Sequence, residues 1–337
     1  MASENLKVLP LTCHGHSRPI THLSFSSVEN DQYYLISASK DNNPMLRDGI
    51  TGDWIGTFIG HKGACWSSAL SSDAALAATG SADFSAKIWD PQTGECLHTL
   101  GHRHIVRSVA FPLQVNPGCV ATGGREKKLR IFDLTRGSTA SSPTSPNASG
   151  EGTESNIEGH ELAPDTHTDT IKSVLWNADY NIITTADDKN LRWFDLRSQK
   201  PIFTFNTKDE IMSCELNTLH TMGNGNSGVI SVAAGKSCYF FNGGRPGELL
   251  KKMDFDQDIA SVAINARTRK VVTGGKNETW AHVWDLETEE ELEVHKGHHG
   301  PIWSIQFSPD GNLYATGSED GTIKLWKACK EPYGLWR

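Results

Sequence analysis

Short runs of alternating apolar and polar residues, each closed by a turn, fill most of this chain. Ile302-Trp303-Ser304-Ile305-Gln306-Phe307 alternates, and Ser308-Pro309-Asp310-Gly311 follows it. Proline fixes φ and glycine accepts positive φ, so the pattern predicts a strand, a turn and a second strand from Leu313 to Gly317. Glu319-Asp320-Gly321 then predicts another turn, and Thr322 to Trp326 a third strand. The stretch around residues 66–100 has the same layout, with strands over Trp66 to Leu70, Ala75 to Thr79 and Ser85 to Trp89 and an outer strand over Cys96 to Leu100. No long segment carries helical periodicity.

The layout recurs. Gly-His pairs stand at 15–16, 60–61, 101–102, 159–160 and 297–298. An aromatic-Asp pair follows at Trp89-Asp90, Phe132-Asp133, Phe194-Asp195 and Trp284-Asp285, with half-preserved versions at Arg47-Asp48 and Trp326-Lys327. The units run 15–48, 60–90, 101–133, 159–195, about 206–242, about 254–285 and 297–327. This punctuation is the WD-repeat signature, one four-stranded blade per unit. The expected fold is all-β, a seven-bladed WD-repeat β-propeller over residues 1–337, with Leu6 to Thr12 supplying the outer strand of the last blade and closing the ring.

Four aligned positions explain how a blade is held: the Gly-His histidine, a hydroxyl ending the second strand, a turn acid and a third-strand tryptophan. Unit two has His61, Thr79, Asp83 and Trp89; unit seven has His298, Thr316, Asp320 and Trp326. An Asp accepting from imidazole, with the hydroxyl shared by imidazole and indole, satisfies every polar group. Each such bond contributes about 1 kcal/mol net, whereas a buried orphan costs about 1–3 kcal/mol. The sets resemble a hydrolase triad, but they recur from blade to blade and their hydroxyls are committed to the fold. Other units depart from the pattern. Arg47 replaces the tryptophan in unit one, beside His16, Ser37 and Asp41; unit three has Thr122, Glu126 and Phe132. Unit four reads as Thr184, Asp188 and Phe194, and unit six has Thr273 and Trp284 with an insertion near Asn277-Glu278. Unit five lacks the histidine and has Gly235 at the acid position, so it is the least specified.

Composition narrows the function classes. Net charge is −8, which argues against general nucleic-acid binding. No apolar run is long enough to span a bilayer, and the first ten residues do not read as a secretory signal. Seven scattered cysteines without a C-x-x-C pair fit reduced thiols in a cytoplasmic or nuclear protein, not a zinc site. From Gly137 to Asn156, fourteen of twenty residues are Ser, Thr, Gly or Pro, so a disordered insertion is expected there. Ser142-Pro143 and Ser145-Pro146 make Ser142 and Ser145 candidate phosphorylation sites, against the plainer reading of an inert insertion. No phosphate loop, metal cluster or nucleophile elbow is present; the expectation is no enzyme, no cofactor and no metal.

A binding surface remains. In a propeller the channel rim receives two side chains per blade. One set is Thr21, Trp66, Arg107, Lys172, Met212, Ala260 and Trp303; the other is Lys40, Ala82, Arg125, Asp187, Ala234, Lys276 and Glu319. Tryptophan and arginine are enriched at binding hot spots, so Trp66, Trp303, Arg107, Arg125, Lys172, Lys40 and Lys276 are the candidate partner-binding residues. The alternative is that both indoles pack locally and the cations are merely solvated.

Residue order goes beyond generic repeats. Leu35-Ile36-Ser37-Ala38, Pro44-Met45-Leu46-Arg47, Gly52 to Phe58, Gly60-His61-Lys62-Gly63-Ala64, Ala82-Asp83-Phe84 and the closing Tyr333-Gly334-Leu335-Trp336 resemble the serine-threonine kinase receptor-associated protein (unrip) family. The insertion departs from it. The resemblance implies a non-enzymatic scaffold that is monomeric on its own and docks protein partners: a Gemin-type subunit of the survival-of-motor-neuron complex and the Sm assembly machinery. It implies no direct nucleic-acid or membrane contact, and a further link to restraint of TGF-β receptor signalling. Subunit i of translation initiation factor three shares the layout of residues 56–64 and is the alternative family; Trp54 and Tyr333 to Trp336 favour the first.

Overall fold

The computed structural model describes residues 9–136, 157–218 and 228–336. They form seven four-stranded antiparallel sheets in a ring: blades one to six over 20–57, 65–101, 106–162, 173–206, 211–254 and 259–295. Blade seven takes three strands from one end of the chain, Ile302–Phe307, Leu313–Ser318 and Ile323–Lys327, and its outer strand, Leu11–Cys13, from the other. Leu11 pairs with Leu325 and Cys13 with Ile323, so the two ends close the ring. Lys324 Nζ donates to Thr12 Oγ1 at 2.8 Å, and Trp336 Nε1 to the Leu9 carbonyl at 2.8 Å. Residues 6–8 lie outside the described residues.

The core is divided among the blade interfaces, because a ring around a channel has no single centre. Each of seven apolar clusters joins two neighbouring blades. Ile36, Leu46 and Phe58 of blade one meet Leu70, Ala77 and Trp89 of blade two; Cys13, Leu325 and Ile323 of blade seven meet Ile20, Leu23 and Leu35 of blade one. Contact is close enough that a Cβ on Gly317 would stand 2.5 Å from Ile20 Cγ2, which is why the strand carries glycine there. First-strand serines stitch the sheets: Ser67, Ser108 and Ser304 Oγ accept from the N–H of Val109, Val174 and Leu23 in the next blade.

The structure moves one boundary. His160–Leu162 is not the start of unit four but the outer strand of blade three, with Leu162 paired to Leu129. Leu162 is 2% exposed, so burying this leucine at the interface with blade four outweighs the Gly-His spacing. In the sequence, residues 137–156 therefore fall between the third and outer strands of blade three. The segment, with Ser142 and Ser145, lies outside the described residues.

Candidate functional site

The two complete tetrads have closed geometry. His61 Nε2 lies 2.7 Å from Thr79 Oγ1, which also accepts from Trp89 Nε1 at 2.8 Å, and His61 Nδ1 lies 2.8 Å from Asp83 Oδ2. His298, Thr316, Asp320 and Trp326 repeat this at 2.7, 2.9 and 3.1 Å. Burial alone would raise both Asp carboxyls. Hydrogen bonds from His61, Ser85 and the Lys62 N–H, and from His298, Thr322 and the His299 N–H, override it and hold them well below the ordinary carboxylate range. Each hydroxyl is buried and bonded, so it serves the sheet. Blade one uses His16, Ser37 and Asp41 in the same way, with the Arg47 guanidinium donating to the Gly52 and His14 carbonyls where an indole would stand. In blade three, burial pushes His102 down to about 4.

Blade four corrects the residue assignment. Phe194 pairs with Ile183, which puts Thr185, not Thr184, at the hydroxyl position; Thr184 Oγ1 instead donates to Asn177. The histidine is His167, its ring 5.4 Å from Phe194, and the acid is Asp187, 3.5 Å from His167 and paired with Arg192. The hairpin is one residue shorter than in blade two, so Asp187 turns inward and Asp188 takes the rim position. His167 and Thr185 are left without hydrogen-bond partners, so this blade keeps the residues of a latch without its bonds.

The rim surrounds the mouth of a channel cavity of about 390 Å³, lined in part by Lys40, Trp66, Arg107, Lys172, Met212 and Trp303. The Arg107 guanidinium stacks on Trp66, 4.0 Å from the ring centre, and Lys40 Nζ lies 5.8 Å from the same ring. Trp66 Nε1 is buried without a partner, and Trp303 Nε1 donates to Glu319 Oε2 at 2.6 Å. The cations divide into two groups. Lys172 is held by Glu210 at 2.5 Å and Asp188 at 3.5 Å; its hydrogen bond pulls the Glu210 carboxyl down, and Lys276, half-buried in the hairpin of blade six, adds to this. Lys40 shares Glu319 at 3.7 Å. Arg107 and exposed Arg125, by contrast, have no carboxylate within ion-pair distance among the described residues. Burial lowers the Arg107 pKa, and the neighbouring charge of Arg125 lowers it further.

Two features had no signal in the repeat alignment. Deeper in the channel, His22 of blade one reaches Glu215 of blade five at 3.0 Å, and Gln306 of blade seven donates to the other Glu215 oxygen at 3.1 Å. Burial opposes charge on His22, but Glu215 raises its pKa overall. This brace crosses the channel between blades one, five and seven. The other feature is Phe84, which holds φ +67° at the turn position where Gly321, Asn42 and Lys127 stand in other blades. An aromatic residue there costs about 1–2 kcal/mol. Phe84 is nevertheless 47% exposed, resting against the His104 ring at 5.4 Å. Among the described residues no group of three or more His, Cys, Asp or Glu could hold a metal ion.

A sequence model of the WD domain, G-beta repeat, matches residues 52–90, 94–133, 158–195 and 289–327. The serine-threonine kinase receptor-associated protein of Gallus gallus is 40% identical over 336 residues, covering 98% of this chain and 86% of that protein. Its counterpart in Dictyostelium discoideum is 38% identical over 320 residues, covering 94% and 98%. Eukaryotic translation initiation factor 3 subunit I of Culex quinquefasciatus is 28% identical over 334 residues, covering 94% and 95%. With seven blades, latched tetrads and identity along nearly the whole chain, this protein belongs to the serine-threonine kinase receptor-associated protein family of WD-repeat propellers.

Proposed function

We propose that the chain is a non-enzymatic docking subunit whose channel rim receives protein partners. The observation that carries this reading is the pairing of Trp66 with Arg107 on an open rim, beside two complete tetrads whose hydroxyls are consumed by the fold. Trp66, Trp303, Arg107, Arg125, Lys172, Lys40 and Lys276 form the binding surface. The family resemblance read from the sequence implies a finer assignment: a place in the survival-of-motor-neuron complex, contacting a Gemin-type subunit during assembly of Sm proteins on small nuclear RNAs, in cytoplasm and nucleus. Restraint of TGF-β receptor signalling is a second role wherever the source organism has such receptors.

Affinity capture with mass spectrometry tests both levels. The wild-type chain should bring down Gemin-type and Sm proteins, and a Trp66→Ala, Trp303→Ala variant should recover them at least about tenfold less while keeping its thermal midpoint within a few degrees. Equal recovery by both chains removes the rim as the docking face. Recovery of initiation-factor subunits in place of Gemin and Sm proteins moves the chain to the alternative family role.

A further inference from the structure

The rim is charged unevenly. On blades four to six Lys172 is already neutralised by Glu210 and Asp188, with Asp209, Asp256 and Asp258 in the neighbouring loops. On blades two and three the balance reverses. The Arg107 guanidinium lies over Trp66, 4.0 Å from the ring centre, with no carboxylate in ion-pair distance among the described residues. The Arg125 N–H donates to the Ile105 carbonyl at 2.9 Å, which sets Arg125 beside the start of the Arg107 strand; the two charges repel. Two guanidinium groups with no carboxylate in ion-pair distance among the described residues make a site short of negative charge. The exposed apolar side chain of this sector is Phe84, whose ring rests 5.4 Å from that of His104, three residues before Arg107, and which is held in a backbone conformation that glycine would adopt more easily. Strain retained at an exposed position is the pattern of a binding contact.

Resting on the docking function proposed above, we infer that blades two and three receive an acidic segment of a protein partner, with one Asp or Glu carboxylate between Arg107 and Arg125 and an adjacent apolar side chain against Phe84. The occupant is a short peptide segment because the two guanidinium groups without a carboxylate cover one sector of the rim only, and the −8 net charge opposes nucleic acid at longer range. The His22–Glu215 brace crosses the channel below, and the segment lies at the mouth over blades two and three.

The test is fluorescence anisotropy on the full chain with three probes: a fluorescein-labelled peptide of alternating Glu and Leu, its Gln counterpart, and a single-stranded oligo-uridylate. The Glu peptide should bind saturably and weaken with salt, and the Gln peptide should bind at least about tenfold less tightly. Arg125→Glu, at an exposed position that the fold does not need, should weaken the Glu peptide at least about tenfold, and Phe84→Gly should weaken it while leaving the thermal midpoint unchanged or slightly raised. Lys208→Glu, on the opposite sector, should change nothing. Equal binding of Glu and Gln peptides, no saturable binding of the Glu peptide, or equal effects of Arg125→Glu and Lys208→Glu would overturn the inference. Tighter binding of the oligo-uridylate with the same sensitivity to Arg125 would overturn it in favour of nucleic acid. If the tryptophan variant still loses its captured partners while the Glu peptide fails, the docking face stands and the acidic class falls.

Discussion

Blades seven and five are built from the same four strands and held by different physics. In blade seven His298, Thr316, Asp320 and Trp326 form a closed polar latch. Blade five has a two-residue hairpin, Gly235-Lys236, in place of the acid-bearing turn, and no latch. It is filled with rings instead: Phe241 lies 5.3 Å from Trp193 and 5.1 Å from Phe205, and Tyr239 lies 5.4 Å from Phe205. Both blades bury their second strands almost completely. Apolar packing is therefore enough to build a blade. The latch adds register, because every misaligned pairing leaves buried donors and acceptors orphaned. Register matters most in blade seven, whose outer strand arrives from the far end of the chain.

Large core truncations should affect the two blades alike. Trp326→Ala and Phe241→Ala should each destabilise by about 3–5 kcal/mol, read from denaturant midpoints, because each empties a fully buried ring site. Deleting residues 1–13 should separate them. The thermal midpoint should fall sharply, and amide exchange should rise first in blade seven. An unchanged midpoint would mean that the closing strand is dispensable. Asp320→Ala should cost about 1–3 kcal/mol by orphaning His298 and the His299 N–H. Acid should act on the same contrast. The Asp83 and Asp320 carboxyls are held below their unfolded range, so their contribution is complete above about pH 4 and is lost as pH falls further. Blades two and seven should lose exchange protection before blade five, and simultaneous loss would argue against the latch. The smallest effect is expected from Tyr239→Phe, about 0.5–1.5 kcal/mol, because the lost hydroxyl donates one bond of 3.3 Å to the Thr207 carbonyl.

The blade count, the closure of blade seven by three strands plus one from the N-terminal side, and both complete tetrads were legible in the sequence, because local alternation and turn chemistry repeat in phase. The closing strand is Leu11–Cys13, so of the expected Leu6 to Thr12 only its last two residues are in it among the described residues. Blade four was misread because two neighbouring threonines and two neighbouring aspartates offered alternative alignments. A hairpin shortened by one residue chose between them. His167 was masked by Gly159-His160, a pair with the right letters at the wrong place in the ring. At the rim, sequence placed Trp66, Arg107 and Lys172 on one face but could not say which cations were already neutralised. That depends on Glu210 and Glu319, which come from other loops. The His22–Glu215 brace was invisible for the same reason: its partners are 193 positions apart and meet only when the ring exists.

The joint of blade seven also orders events in time. As the chain leaves the ribosome, six sheets can assemble on their neighbours while Leu11–Cys13 waits for a mate more than three hundred positions downstream. Until Ile323–Lys327 emerges, one strand edge and the apolar flank of blade one stay open to solvent. Birth of the working ring is thus all-or-none at its final step, and a nascent chain stalled before that step is the form most exposed to wrong pairing.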